Sequence, residues 1–108
     1  MDISTRTQNG TRIVAFAGSM DSTTSPEAQR ALDEVLAGAS SVALDFTALD
    51  YISSAGLRVL LGAAKALRAS GGSLRIFGLN PSVREVFDIS GFSTILAVYP
   101  TEAEALAG

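Results

Sequence analysis

Apolar residues recur every three or four positions in the middle of the chain, and this repeat is the clearest structural signal in the sequence. The positions that form it are Leu57, Leu60, Leu61, Ala64 and Leu67. This spacing places the side chains on one face of a helix, which would then bury that face. The repeat predicts a long helix that begins near Ser54 and ends at Ser70-Gly71-Gly72.

A second helical repeat lies nearer the N-terminus. The stretch Thr23–Glu27 carries helix-start residues, with Pro26 in the first-turn position that proline favours. The apolar positions that follow are Ala28, Ala31, Leu32, Val35 and Leu36. A helix with one buried face is therefore predicted here, and Gly38 ends it.

Short apolar runs between the helices predict strands. Residues 3–8 and 12–17 flank Asn9-Gly10, a dipeptide typical of tight hairpins, so the chain should begin with an antiparallel pair. Residues 42–46 form a mostly apolar run of the kind found in buried strands, with Asp50 in the turn after it. Two further strands are predicted at residues 74–77 and 95–98.

Two short helices complete the prediction. Ser82 with Glu85, and Thr101 with Glu104, have the spacing of capping boxes at helix starts. Strands that alternate with helices after an opening hairpin indicate an α/β domain. We therefore expect residues 1–108 to form a single domain, a mixed and largely parallel sheet of four or five strands covered by about four helices.

Composition narrows the possible functions. The chain has 108 residues, of which 47% are hydrophobic, as expected for one domain with one core. No apolar run approaches the ~20 residues of a membrane span, and the N-terminus lacks the pattern of a signal peptide, so we expect a cytoplasmic protein without membrane insertion. The net charge of −3, with the basic residues scattered, disfavours direct binding to nucleic acid.

The absence of histidine and cysteine argues against an enzyme. A zinc site would lack its usual ligands and a hydrolase triad its usual base, so no metal or cofactor is expected. Ser54 does not match the nucleophile elbow of α/β-hydrolases, because Ile52 occupies a position where that motif needs glycine. The only lysine, Lys65, lies about 16 Å along the same predicted helix, too far to activate Ser54.

Two adjacent serines mark the junction between the buried strand and the long helix. Exposed backbone N–H groups at such a junction can bind a phosphate group. One serine can cap the helix, and one hydroxyl suffices for that role. The residues alone leave two interpretations for Ser54: a plain helix cap, or a phosphorylation site where the helix start tolerates the added charge.

This junction, Ser53-Ser54-Ala55-Gly56-Leu57, resembles that of the STAS-domain anti-sigma factor antagonists of bacteria. In that family an aspartate, a phosphorylated serine and a second hydroxyl residue precede Gly-Leu, so the phosphorylated serine aligns with Ser54. Ser53 and Ala55 depart from the family pattern. Two further stretches, Gly18–Asp21 and Gly78–Val83, are similar to the family's second strand end and third helix start, so the resemblance covers nearly the whole chain.

The resemblance implies a binding protein controlled by phosphorylation of Ser54. Its partners would be an anti-sigma factor with serine kinase activity and a serine phosphatase, and its binding would release a sigma factor and so regulate transcription. The resemblance places the partner surface at Asp21, Ser53, Ala55 and Gly56. Arg58 is added because it lies one helical turn after Ser54, although a charge on this helix face can also be simply solvated. Asp21 also has a local interpretation, as a turn or cap beside Thr23 and Thr24. The alternative function is a stand-alone STAS subunit of a signalling scaffold or lipid-transport complex.

Overall fold

A computed structural model describes residues 1–107 and contains one sheet whose five strands lie in chain order. The strands are β1 (Asp2–Gln8), β2 (Thr11–Met20), β3 (Ser41–Ile52), β4 (Ser73–Phe77) and β5 (Ala97–Tyr99). β1 and β2 pair in antiparallel fashion, and every other neighbouring pair is parallel. The predicted mixed, largely parallel sheet is confirmed.

The opening hairpin turns at the predicted dipeptide. Asn9 and Gly10 both have positive φ angles, 52° and 79°, as the tightest hairpin turns require. The turn brings Gln8 opposite Thr11 and so fixes the register of the whole antiparallel pair.

Four helices cover the two faces of the sheet unequally. They are α1 (Ser25–Leu36), α2 (Ser54–Ala69), α3 (Pro81–Ser90) and α4 (Glu102–Ala107). Alternate strand residues point to opposite faces. The larger core joins one face of the sheet to α1, α2 and α3, and includes Phe16, Phe46, Leu60 and Phe87. On the other face α4 packs through Ala105 against Ile13, Ala43 and Phe77.

The third strand is longer than predicted. It runs to Ile52, because β2 remains paired with it as far as Met20 opposite Ile52. The prediction that Asp50 lies in a turn is therefore wrong, since Asp50 is a strand residue. β4 pairs with β3 only as far as Asp45, so the last part of β3 extends beyond its parallel neighbour.

The cap of α3 also differs from the prediction. The Asn80 side chain, two residues before Ser82, accepts a hydrogen bond from the Val83 N–H at 2.8 Å, and Pro81 is the first helical residue. Ser82 is thus inside the helix. Asparagine and serine are nearly equal caps, so spacing alone favoured the wrong residue.

The C-terminal region agrees more closely with expectation. β5 begins two residues later than predicted, after a single 3₁₀ turn at Phe92–Thr94. Thr101 accepts a hydrogen bond from the Glu104 N–H at 3.2 Å, as the capping-box spacing indicated. None of the helices within residues 1–107 combines the length and apolar character needed to cross a membrane.

Candidate functional site

The carboxyl ends of β2 and β3 bring two helix-start loops together. Met20 lies opposite Ile52 in the sheet, and the Met20 carbonyl accepts a hydrogen bond from the Ser53 N–H at 2.9 Å. The loop after β2 begins at Asp21, and the loop after β3 contains Ser53. The structure thus places Asp21 beside the serine loop, as the predicted topology suggested.

Ser53 is the N-cap of α2. Its backbone is extended, with φ −97° and ψ 176°, and its hydroxyl accepts a hydrogen bond from the Gly56 N–H at 3.4 Å. The Ser53 carbonyl accepts the first helical bond from the Leu57 N–H at 2.9 Å. The half-buried Ser53 side chain therefore serves the helix itself.

Ser54 is the first residue of α2 and is exposed. In the described part of the chain, no hydrogen bond engages its hydroxyl. Because Ser53 already supplies the cap, the Ser54 hydroxyl is available at the positive end of a 16-residue helix. The two serines have different roles, and the plain-cap interpretation belongs to Ser53.

Gly56 holds the two loops at close range. A Cβ atom at this position would lie 2.9 Å from the Met20 carbonyl oxygen and 2.8 Å from Ile52 Cγ1, well inside normal contact distance. Only glycine lets the first turn of α2 approach both strand ends so closely. Gly56 is buried and Ala55 half-buried, so Ser54 and Arg58 are the exposed residues of this turn. Sequence reasoning missed this packing role, because its only signal is a glycine inside a predicted helix.

The Asp21 loop is held by its own hydrogen bonds. One carboxylate oxygen accepts from the N–H groups of Thr23 at 2.9 Å and Thr24 at 3.0 Å. In return, the Thr24 hydroxyl accepts from the Asp21 N–H at 2.9 Å and donates to the Ser19 carbonyl at 2.7 Å. The N–H groups of Thr24 and Thr23 stabilise the charged form and lower the pKa of Asp21. The local turn interpretation of Asp21 is confirmed.

A model of the STAS domain matches residues 2–105. The chain belongs to the STAS domain family. A candidate anti-sigma factor antagonist of Bordetella bronchiseptica, BtrV, is 43% identical over 100 residues, which is 92% of this chain and 86% of that protein. The anti-sigma-B factor antagonist of Listeria monocytogenes is 37% identical over 93 residues, which is 84% of this chain and 81% of that protein.

Solved structures agree on the fold. The Bacillus cell fate determinant SpoIIAA in its phosphorylated form superposes with a TM-score of 0.73 and 20% identity, covering 98% of this chain and 97% of that one. At this identity the likeness concerns the fold. It places this STAS domain in the architecture already described, a five-stranded sheet with four helices.

Within α2 itself, the charges of this STAS domain favour an added anion at the helix start. The first turn of α2 holds no acidic side chain, and Arg58 lies four residues after Ser54, one helical turn away. Within residues 1–107 the ion pairs are Arg6 with Glu102 and Arg84 with Asp88, which leaves Arg58 free to face solvent. The same residues contain no cluster of three acidic side chains that could hold a metal ion.

Proposed function

We propose that this STAS domain is an anti-sigma factor antagonist controlled by phosphorylation of Ser54. In the unphosphorylated state it binds an anti-sigma factor that has serine kinase activity, and the sigma factor is released. The names of the Bordetella and Listeria relatives support the antagonist role. The observation that carries the proposal is the free, exposed Ser54 hydroxyl beside a serine that already caps the helix.

A phosphate on Ser54 would disturb binding more than folding. It adds about −1.5 to −2 charges at a helix start, where backbone N–H groups and the helix dipole favour negative charge. Arg58 is placed to pair with it across one helical turn. A partner docked over Ser54 would instead have to bury or oppose this charge, which is costly. The domain therefore keeps its fold while it loses its partner.

The domain itself acts as a substrate and binding module. It has no role as an enzyme and needs no cofactor, since the kinase belongs to the anti-sigma factor and a separate serine phosphatase restores the unmodified state. Partner contacts come from the two adjoining loops, with Asp21 and Ser53 shaping the surface and Arg58 exposed on it. Ala55 and Gly56 contribute because they are small residues. Gly56 in particular lets the first turn of α2 lie close to the sheet.

Titration of a purified anti-sigma factor encoded in the same genome tests the binding switch. Ser54→Asp should raise the Kd at least tenfold, which is about 1.4 kcal/mol, while the thermal midpoint stays near that of wild type. Ser40→Asp is the matched control, because Ser40 is exposed and precedes β3 at the opposite end of that strand. An aspartate at position 54 that binds as tightly as wild type would contradict the switch. A wild-type domain that binds no anti-sigma factor would favour the scaffold or transport alternative.

Phosphopeptide mapping tests the site. After incubation with that kinase and ATP, the label should appear on Ser54 and be lost in Ser54→Ala. Ser53→Ala should still be labelled, because Ser53 is a cap. Label on Ser53, or label that persists without Ser54, would refute the assignment.

A further inference from the structure

Strand β1 is the free edge of the sheet. It pairs with β2 on one side, and within residues 1–107 no strand lies on its other side. It has seven residues, contains no proline or lysine and pairs with β2 without a bulge, whereas the opposite edge strand, β5, has three residues. A long, regular edge presents unpaired backbone groups that can bind another strand, and proteins commonly block it with proline, lysine or a bulge. β1 lacks this protection.

The tight turn at Asn9-Gly10 determines which backbone groups of β1 face outward. In a two-residue hairpin the flanking residues, here Gln8 and Thr11, exchange both of their backbone hydrogen bonds, and every second residue does the same. The even-numbered residues of β1 therefore bond to β2. The N–H and C=O groups of the odd-numbered residues point away from the sheet, and no backbone hydrogen bond from elsewhere in residues 1–107 engages them. These residues are Ile3, Thr5 and Thr7.

Two opposite charges lie on one face of this edge. Alternate side chains of a strand point to the same face, so Asp2 and Arg6 both lie on the face that carries α4. The Arg6 guanidinium donates to both carboxylate oxygens of Glu102 in α4, which occupies two of its five N–H groups, and the Arg6 side chain remains 44% exposed. Asp2 is exposed and takes part in no ion pair within residues 1–107. Both charges can therefore reach a strand that pairs with β1.

A second copy of β1 has the complementary pattern of charges. When the two strands run antiparallel about a two-fold axis at Ser4, Asp2 of each copy lies opposite Arg6 of the other. These two pairs fall at positions without backbone hydrogen bonds, where opposite Cα atoms approach to about 4.5 Å. The outward backbone groups of Ile3 in one copy then bond to those of Thr5 in the other. One arrangement thus satisfies the edge and forms two ion pairs.

The charges select this register over its neighbour. The next register with outward groups facing each other has its axis at Thr5. It would place Asp2 opposite Gln8. Arg6 would then face Ser4, and no ion pair would form. The register centred on Ser4 is therefore the one that the side chains of β1 favour.

The apolar residue of this edge fits the same arrangement. Ile3 is half-buried and packs at the margin of the larger core, on the face that carries α1. In the register centred on Ser4 the two Ile3 side chains lie diagonally across the interface, within reach of each other. Contact between them would remove apolar surface from water on the face opposite to the ion pairs.

We propose that two copies of this domain form a reversible dimer through β1, in the register centred on Ser4, so that their two sheets become one. β1 lies two strands away from β3, whose end carries the serine loop. The pairing therefore leaves both serine loops uncovered, and each dimer offers two of them to other proteins. The dimer does not depend on the proposed function.

Sedimentation equilibrium of the purified domain tests the pairing. So small an interface gives a weak complex, and the dimer should be populated at about 0.1–1 mM protein. Asp2→Arg and Arg6→Asp each place like charges opposite one another at both contacts, so each variant alone should raise the Kd for dimerisation at least tenfold. An equimolar mixture of the two variants should dimerise with a Kd close to that of wild type, because the mixed dimer has opposite charges at both contacts.

Two further variants are matched controls. Gln8→Asp adds a charge on the same face of the same strand, but position 8 lies beyond the paired residues in this register, so the Kd should not change. Glu102→Gln removes the partner of Arg6 within the chain and should not raise the Kd. The thermal midpoints of all four variants should stay close to wild type, because exposed ion pairs contribute little to stability.

The outcomes decide both the dimer and its register. A wild-type domain that stays monomeric at about 1 mM would overturn the proposal. A dimer that the two charge variants leave unchanged would overturn it too, as would a mixture of them that remains monomeric. Weakening by Gln8→Asp would refute the register, since Gln8 faces Asp2 only when the axis lies at Thr5. None of these results alters the test of the proposed function, which measures binding of the anti-sigma factor.

Discussion

The loops before α1 and α2 lie side by side at one end of the sheet, yet they use their polar side chains differently. Before α1, Asp21, Thr24 and Ser25 all form hydrogen bonds with backbone groups of the same loop or of β2. Before α2, Ser53 alone does this, and the next hydroxyl, that of Ser54, is unused. Similar residue types thus give a fixed loop in one place and an available group in the other.

Backbone packing explains the difference. The loop before α2 is fixed by the bond from Ser53 N–H to the Met20 carbonyl and by the close approach at Gly56. These contacts hold the loop without help from another side chain. Ser54 therefore has no structural role. A residue can take part in regulation most easily where the fold does not depend on it.

The largest expected effect comes from breaking that packing. Gly56→Ala would place a Cβ 2.9 Å from a backbone oxygen that cannot rotate away, so the helix start or the end of β2 must shift. Overpacking of this kind costs about 1–3 kcal/mol, more than the helix propensity that alanine gains. Urea unfolding should therefore show a loss of about 2 kcal/mol.

Gly62→Ala provides the control on the same helix. Gly62 is exposed, and a Cβ there would meet nothing within 4 Å, so alanine should stabilise the domain by about 0.5–1 kcal/mol. Equal effects of the two substitutions would show that Gly56 acts through helix propensity only. The close contact between the loops would then contribute nothing to the free energy of unfolding.

A smaller loss of stability should distinguish the structural role of Ser53 from that of Ser54. Ser53→Ala removes the N-cap and leaves the Gly56 N–H without its side-chain partner, which costs about 1 kcal/mol. Ser54→Ala removes a hydroxyl that holds nothing, so the free energy of unfolding should change by less than about 0.3 kcal/mol. Calorimetry on the two variants measures both. A larger loss from Ser54→Ala than from Ser53→Ala would reverse the assignment of roles.

Much of this fold could be predicted from the sequence, because the strongest signals are periodic and local. The leucine repeat of α2 and the Asn9-Gly10 turn each determine one element, and both were predicted correctly. The end of β3 was missed, since residues 47–51 are mostly exposed and lack strand alternation. These residues are a strand because they pair with β2. Pairing between residues far apart in the chain cannot be recognised from the local pattern of hydrophobic and polar positions.

The candidate site was predictable only in part. The sequence placed two hydroxyls at a helix start, but it could not assign the cap between Ser53 and Ser54, because that choice depends on the angle at which the chain enters α2. The hydrogen bond from the Asn80 side chain to the Leu49 carbonyl was not predicted either. It requires the extension of β3 and joins residues 31 positions apart.

The smallest expected effect concerns the fixed loop and its dependence on pH. Hydrogen bonds from Thr24 and Thr23 lower the pKa of Asp21 in the folded state relative to the unfolded chain. A lowered folded pKa means that this carboxylate stabilises the fold above its unfolded pKa, and that the stabilisation disappears as the pH falls through the folded pKa.

Asp21→Asn tests this directly, because the amide oxygen can still accept the two N–H bonds while the charge is gone. The variant should be slightly less stable than wild type near pH 7, and the difference in thermal midpoint should shrink steadily as the pH falls below about 4. A difference that stays constant with pH would mean that geometry, not charge, makes Asp21 useful in the loop. The phosphorylation rate of Ser54 in Asp21→Asn, measured near pH 7, is the companion measurement. A lower rate is expected, because Asp21 lies on the surface that the kinase contacts in the proposed function. The serine loop itself is held by the Met20 carbonyl and Gly56, and neither contact involves the Asp21 carboxylate, so the loss would reflect kinase binding and not a rearranged loop.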